Sequence, residues 1–165
     1  MGRTIMKWFL LLVVALPLLV FVAGQAGWLR GEVPAGLGVT EGRLKALSNA
    51  PNCVSSQAAL YPGHAQQSFA QIDPLPLKPG GSEASLTALT QALQGMDGVS
   101  IVEQTPGYLR AQAQTHWLKF TDDLEFWINP ERQVIELRSA SRLGQNDFGA
   151  NRDRIEALRS AYAAL

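Results

Sequence analysis

The chain has 165 residues, with 14 basic and 14 acidic side chains. That length holds one ordinary domain once the N-terminus is set aside, and the balanced charge offers no net field toward nucleic acid or anionic lipid. The one cysteine, Cys53, excludes an intramolecular disulfide, and neither a zinc-type Cys/His spacing nor a basic stripe interleaved with aromatics is present.

Residues 1–30 read as a membrane anchor or signal segment. Arg3 and Lys7 precede an apolar run from Trp8 to Gly24, which Ala26-Gly27-Trp28-Leu29 extends past one Gln. A secretory signal has a basic start, an apolar stretch and a small-residue cleavage site, and Gly24-Gln25-Ala26 could serve as that site. An anchor needs about 20 mostly apolar residues, and Trp8 to Leu29 reaches that length, bracketed by Trp8 and Trp28 as interfacial aromatics are. Pro17 is tolerated in a membrane helix. The uncleaved anchor is the preferred reading. Arg3 and Lys7 favour an inside N-terminus, with Arg30 opposing it, and so put the domain outside the cytoplasm.

Residues 31–50 read as a linker of Gly, Pro and small side chains. From Pro51 to Gly81 the chain is punctuated by proline, which removes an N–H and restricts its predecessor. This stretch should wrap the domain, pinned by Leu60, Tyr61, Phe69, Ile72, Leu75 and Leu77. A helix follows, with Ser82 as N-cap; Leu86, Leu89, Leu93 and Met96 recur at helical spacing, and Gly95 or Gly98 ends it. Strands are expected over Val99–Gln104 and Tyr108–Thr115, joined at Pro106-Gly107, then within His116–Ile128 and over Gln133–Ser141, joined at Asn129-Pro130-Glu131-Arg132. A closing helix, capped by Asn146 or Asp147, presents Ile155, Leu158, Tyr162 and Leu165 as one stripe. Arg152–Glu156 and Glu156–Arg159 should pair along it. The fold class is therefore α+β. It is a four-stranded antiparallel meander with two helices on one face, preceded by a proline-rich wrap and an N-terminal transmembrane or signal helix. Residues 51–165 form the single domain.

Parity in the third strand isolates one residue. Leu118, Phe120, Leu124, Phe126 and Ile128 share a face, and Asp122 falls among them, while Thr121, Asp123, Glu125 and Trp127 face the other way. An Asp facing a core must be paired, or a bulge must reset the register. Arg138, Arg142, Arg152 and Asn151 are the donors expected to meet it in an Asp–Arg clamp. Arg138-Ser139-Ala140-Ser141-Arg142 offers a second reading. Two guanidiniums with nearby hydroxyls suit a phosphate or carboxylate, and the N-terminus of the last helix, near Gly149–Arg152, would add free N–H groups. The rival is an arginine pair satisfied by Asp122, Asp123 and Asp147. Cys53 would need His64 or His116 as a base to act as a nucleophile; a small buried thiol is the simpler reading. Ser55 and Ser56 read as backbone-bonding residues. No nucleophile elbow, phosphate loop, dinucleotide fingerprint or H-E-x-x-H occurs, so neither cofactor nor metal is expected.

The segments GLGVTEGRL, PNCVSSQA, IDPLPL, FTDDLEFWIN and RSASRLGQNDFGANRDRIEALR together resemble the domain-of-unknown-function 1499 family, from about Gly36 to the end of the chain. The resemblance implies a bacterial or plastid setting and an N-terminal hydrophobic segment, and no defined activity. A second cysteine common in that family has no counterpart here. The resemblance also implies that Cys53, Ser55, Ser56, Asp122, Asp123, Glu125, Arg138, Ser139, Ser141, Arg142, Asp147, Asn151 and Arg152 act as one set. The expectation is a membrane-tethered domain on the periplasmic side of a bacterial inner membrane, or one secreted to the periplasm after cleavage. It is expected to bind or organise rather than catalyse. Its partners would be the membrane through residues 8–29 and a small anionic ligand or envelope protein, without nucleic acid. The alternative is an anion-binding or hydrolytic site on Asp122, Arg138, Arg142, Asn151 and Arg152.

Overall fold

A computed structural model describes residues 2–165, leaving the side chains of Arg3 and Thr4 aside; the charge contributed by Arg3 to the leader lies outside the described residues. Helix α1 (Gly2–Gln25) runs through the apolar leader with Pro17 inside it. Its segment Ile5–Gln25 is long and apolar enough to cross a membrane; the helix is exposed along most of its length, and only its last turn, at Gly24, is buried against the rest of the protein. As an anchor or as a signal sequence, it has the required length: 21 residues rise about 31 Å at 1.5 Å each, against a hydrocarbon core of about 30 Å.

The remainder is mixed α and β. Strand β1 (Cys53–Ser55), helix α2 (Gln67–Ala70) and strand β2 (Leu75–Pro76) come from the proline-punctuated segment. Helix α3 (Gly81–Gln94), strands β3 (Val99–Thr105), β4 (Tyr108–Gln114), β5 (Thr121–Asn129) and β6 (Val134–Ser141), and helix α4 (Ala150–Ala163) follow. The antiparallel sheet has six strands, in the order β1-β6-β5-β4-β3 with β2 also on β6. The expected four-stranded sheet is too small. The wrap does not merely lie on the surface: Cys53–Ser55 pairs with Arg138–Ala140, and Leu75–Pro76 pairs with Val134–Ile135. The physical reason is the edge of β6. That strand is buried along nearly its whole length, and a buried edge cannot leave its backbone N–H and C=O groups unpaired.

One face of the sheet takes the helices. Leu109, Ala111, Leu124, Phe126, Ile128, Ile135 and Leu137 pack with Leu89 and Leu93 of α3 and with Ile155, Leu158 and Tyr162 of α4. Period-2 alternation in the strands meets helical stripes, which is why this side is apolar. Leu165 does not join the stripe; it is half exposed. Ser82 does not cap α3, which starts after Gly80 in a left-handed turn; Ser85 instead bonds the first turn, donating to the Gly81 carbonyl and accepting from the Lys78 N–H. Arg152 leaves Glu156 for the Phe69 and Gln71 carbonyls, and Arg159 adds the Asp73 and Pro74 carbonyls to its Glu156 pair. α4 thereby staples the incoming wrap, whose free carbonyls need donors.

Residues 31–50, expected as a linker, lie on the opposite face of the sheet. Leu44 and Leu47 are buried there. This stretch has no helix or strand, so most of its backbone hydrogen bonds must be met by side chains.

Candidate functional site: two polar clusters on opposite faces of the sheet

The β5 register is continuous against both neighbours, Asp122 opposite Ala113 and Ser141, Asp123 opposite Gln112 and Ala140. No bulge resets it. Asp122 therefore faces the helices and Asp123 the coil, and the expected single cluster divides in two.

On the helix side, Asp122 meets Arg154, whose Nη2 donates to its Oδ2 at 2.7 Å. Arg154 is the partner that sequence reasoning missed. The signal was available: Arg154 lies three residues after Asn151 on α4, and residues at that spacing share a helix face. Arg154 also donates to Asn151 Oδ1 at 3.0 Å, and Ser139 Oγ donates to the same oxygen. The two N–H groups of the Asn151 amide are shared among three acceptors, the Asn52 carbonyl, Ser141 Oγ and Asp147 Oδ2, at 3.2, 3.0 and 2.8 Å from the nitrogen. Asn151 is fully buried, and both ends of its amide are occupied. The α4 N-terminus is occupied as well. Asp147 accepts from the Gly149 and Asn151 N–H groups, both at 3.0 Å. The free N–H groups and positive dipole that would attract an external anion already face a built-in carboxylate.

On the coil side, Arg142 grips Asp123 with both branches of its guanidinium, Nε at 2.7 Å and Nη2 at 2.8 Å. This bidentate bond holds the Arg142 pKa above its ordinary value, with burial opposing it. Arg110 Nη1 stands 3.7 Å from Asp123. Next along the strand, Glu125 is completely buried. It accepts from Arg138 Nη1 at 3.3 Å, Tyr108 Oη at 3.1 Å and the Gly38 N–H at 2.7 Å. Burial first, then the charge and hydrogen bond of Glu125, raise the Tyr108 pKa. Arg138 Nε also reaches the Ala46 carbonyl at 3.3 Å. Glu136, buried on the same face, takes the Ser56 hydroxyl at 2.6 Å and Arg132.

The expected donors thus sort differently from the sequence expectation. Arg138 and Arg142 share the coil face with Asp123 and Glu125. Ser139, Ser141, Asp147 and Asn151 share the helix side with Asp122, while Arg152 serves the wrap. The five residues of the anion-site reading do not converge. Cys53 and Ser55 enter beside the coil-side cluster, Cys53 opposite Ala140 and Ser55 opposite Arg138. Ser55 Oγ accepts from the Gln57 N–H, and Ser56 Oγ accepts from the Leu137 N–H, as backbone-bonding serines do. The Cys53 thiol is 2% exposed, and burial raises its pKa although Arg138 opposes this, so it is held as a thiol. His64 accepts from the Gln66 N–H, and His116 stands edge-on to Trp117; neither is engaged as its base. A groove of about 680 Å³ opens between α3 and the β3–β4 turn, lined by Leu86, Gln104, Pro106 and Ile128, and one of about 320 Å³ lies by Gly42, Trp127 and Asn129. Neither is lined by an aspartate or arginine of the two clusters.

The sequence from residue 43 to 162 matches the model of a family described as a protein of unknown function, DUF1499. The chain belongs to this family. The matched span takes in both clusters, β1 and the residues of the wrap, so the paired acids and arginines are within what the family model covers. No curated protein and no solved structure matches the chain.

Proposed function

We propose that this DUF1499 protein is a membrane-tethered binding or structural module, with its Asp/Arg clusters serving as internal clamps rather than as a reaction centre. One observation carries the reading: Asp123 and Glu125, the two most deeply buried acids of the expected site, spend their oxygens on Arg142, Arg138, Tyr108 and Gly38. A reaction or ligand site needs polar groups converging on open, concave space; here the groups converge on one another.

The anchor half of the reading rests on the end of α1. The Gln25 amide donates to the Trp117 carbonyl at 2.8 Å, and the Phe21 and Trp117 rings lie 6.2 Å apart. Gly24 meets the Leu118 backbone so closely that an added Cβ would stand 2.7 Å from its carbonyl oxygen. The Gly24-Gln25-Ala26 cleavage motif is thus held in a fitted seat, which favours a retained helix over a removed leader. Arg3 and Lys7, which precede the uncharged run from Trp8, support a domain on the periplasmic side of an inner membrane.

A thermal-shift screen of the full chain in detergent, with phosphate, sulfate and small carboxylates, tests the clamp. The expected result is no specific shift. A stabilisation seen in the wild type and lost in Arg142→Ala would establish a ligand site and overturn this reading.

A further inference from the structure

The sheet end from which α1 emerges carries apolar side chains that the fold does not use. Trp117 in the β4–β5 loop is 67% exposed, Trp28 in the turn after α1 is 79% exposed, and Phe148 in the β6–α4 loop is 92% exposed; Leu143 and Phe120 are partly exposed beside them. These segments are neighbours. Arg142 N–H donates to the Thr121 carbonyl, so the β4–β5 and β6–α4 loops leave the same end of the sheet. Gly31 fits so tightly against Arg142 and Leu143 that an added Cβ would lie 2.8 Å from one and 3.0 Å from the other. The 26–31 turn is thereby bound to the β6–α4 loop. Large aromatics gathered at one end of a domain are costly to leave in water.

Two further observations indicate what covers them. The first is depth. Trp117 touches the last turn of α1 through Phe21 and Gln25, and Phe21 lies about 6 Å back along the axis from Gln25 at 1.5 Å per residue. If Ile5–Gln25 spans the bilayer, the Trp117 ring stands level with the boundary between headgroups and acyl chains, where Trp is enriched. The second is backbone strain. Lys119 and Phe148 adopt φ of +59° and +53°, a region that non-glycine residues seldom occupy. At Phe148 this geometry, held by Asn146 Oδ1 on its N–H, presents a ring that packs on almost nothing in the protein. Lys119 is held by its backbone bonds to Thr115 and Thr121, but at Phe148 a strained position whose side chain gains no internal contact points to function.

We propose that this end of the domain is a lipid-facing seat. Trp28, Trp117 and Phe148 insert into the interfacial layer of the bilayer that α1 crosses, and Lys119 and Arg30 extend their stems toward the phosphates. The domain then stands on the membrane in a fixed orientation, with the β5–β6 turn at the far end of the sheet pointing into solvent. This rests on the anchor reading above. The seat rests on the insertion of Trp28, Trp117 and Phe148, so a zwitterionic bilayer suffices.

The test uses the full chain in phosphatidylcholine vesicles with one environment-sensitive thiol probe per chain. The probe is placed by Trp117→Cys, Phe148→Cys, Leu16→Cys or Glu131→Cys. Buried Cys53 stays unlabelled in a folded chain, so a stoichiometry of one probe per chain certifies each variant. Lipids carry a nitroxide either high on the acyl chain or near its end. The expected result is strong quenching at positions 117 and 148 by the shallow nitroxide, at 16 by the deep one, and none at 131. Quenching at 16 with solvent-like probes at 117 and 148 would overturn the seat, leave the anchor standing and mark the patch as a protein contact. An unquenched probe at 16 would overturn the anchor and the seat together.

Discussion

The two faces of the sheet are both buried, yet they are built from opposite chemistry. The face under α3 and α4 is almost entirely aliphatic and aromatic, with Asp122 at its rim. The face under residues 31–50 carries Asp123, Glu125, Glu136, Arg138 and Arg142. What covers each face explains the contrast. A helix satisfies most of its own backbone and can present a purely apolar stripe. A coil brings unpaired N–H and C=O groups, so the sheet beneath it must supply partners. Glu125 takes the Gly38 N–H, Arg138 takes the Ala46 carbonyl, and Gln57 takes the Leu44 N–H and gives to the Gly42 carbonyl. Once charges are buried to serve the coil, they must also pair with one another. The ion pairs are a consequence of covering a sheet with coil.

The sharpest way to break this comparison is to damage each face and then attempt repair. Phe126→Ala on the helix face should cost about 3–5 kcal/mol in urea unfolding as a cavity, and Arg142→Ala on the coil face about 3 kcal/mol, because buried Asp123 loses its bidentate partner and keeps only Arg110 at 3.7 Å. Only the second has a cure that discards the lost interaction. Asp123→Leu with Arg142→Met should recover most of the stability, because a buried pair exchanged for apolar groups of similar size is often neutral. A double variant no more stable than Arg142→Ala would show that Asp123 serves more than its arginine.

A smaller effect should separate the coil from the sheet. Gln57→Ala removes both bonds to the 42–44 stretch and should cost about 1–3 kcal/mol. Hydrogen exchange should then quicken at Gly38 and Leu44 while the β5 and β6 amides keep their protection. Equal loss of protection across the sheet would mean that coil and sheet unfold as one unit.

The smallest effect at neutral pH, and the one confined to alkali, concerns Tyr108. Burial and Glu125 raise its folded pKa above the ordinary 10.0, so the folded state keeps a proton that the unfolded chain releases. The stability that this proton supports is complete below pH 10 and falls as pH climbs beyond it. Tyr162, raised by burial on the helix face, adds to the same decline. Tyr108→Phe should flatten part of the alkaline limb of a stability–pH curve and leave the rest to Tyr162. An unchanged slope would detach Tyr108 from Glu125.

Local rules made much of the chain legible. Helical spacing placed Leu89 and Leu93 in α3 and Ile155, Leu158 and Tyr162 in α4, and turn residues at Pro106-Gly107 and Asn129-Pro130 separated the strands. Strand parity put Asp122 among apolar neighbours and demanded a partner, because alternation along a strand is a local property of the backbone. The partner's identity was not local. Arg154 closes on Asp122 only because α4 crosses the sheet at that angle, and the same crossing leaves Arg152 beside the wrap. Leu75 and Cys53 likewise sit in segments with no strand signature; they pair with β6 because its buried edge needs backbone partners. Arg138 and Arg142 read as companions of the last helix until the assembled sheet placed that helix on the other side. Sequence periodicity determined which side chains share a face. Which faces are covered, by helix or by coil, and hence which charges meet, depended on packing between residues far apart in the chain.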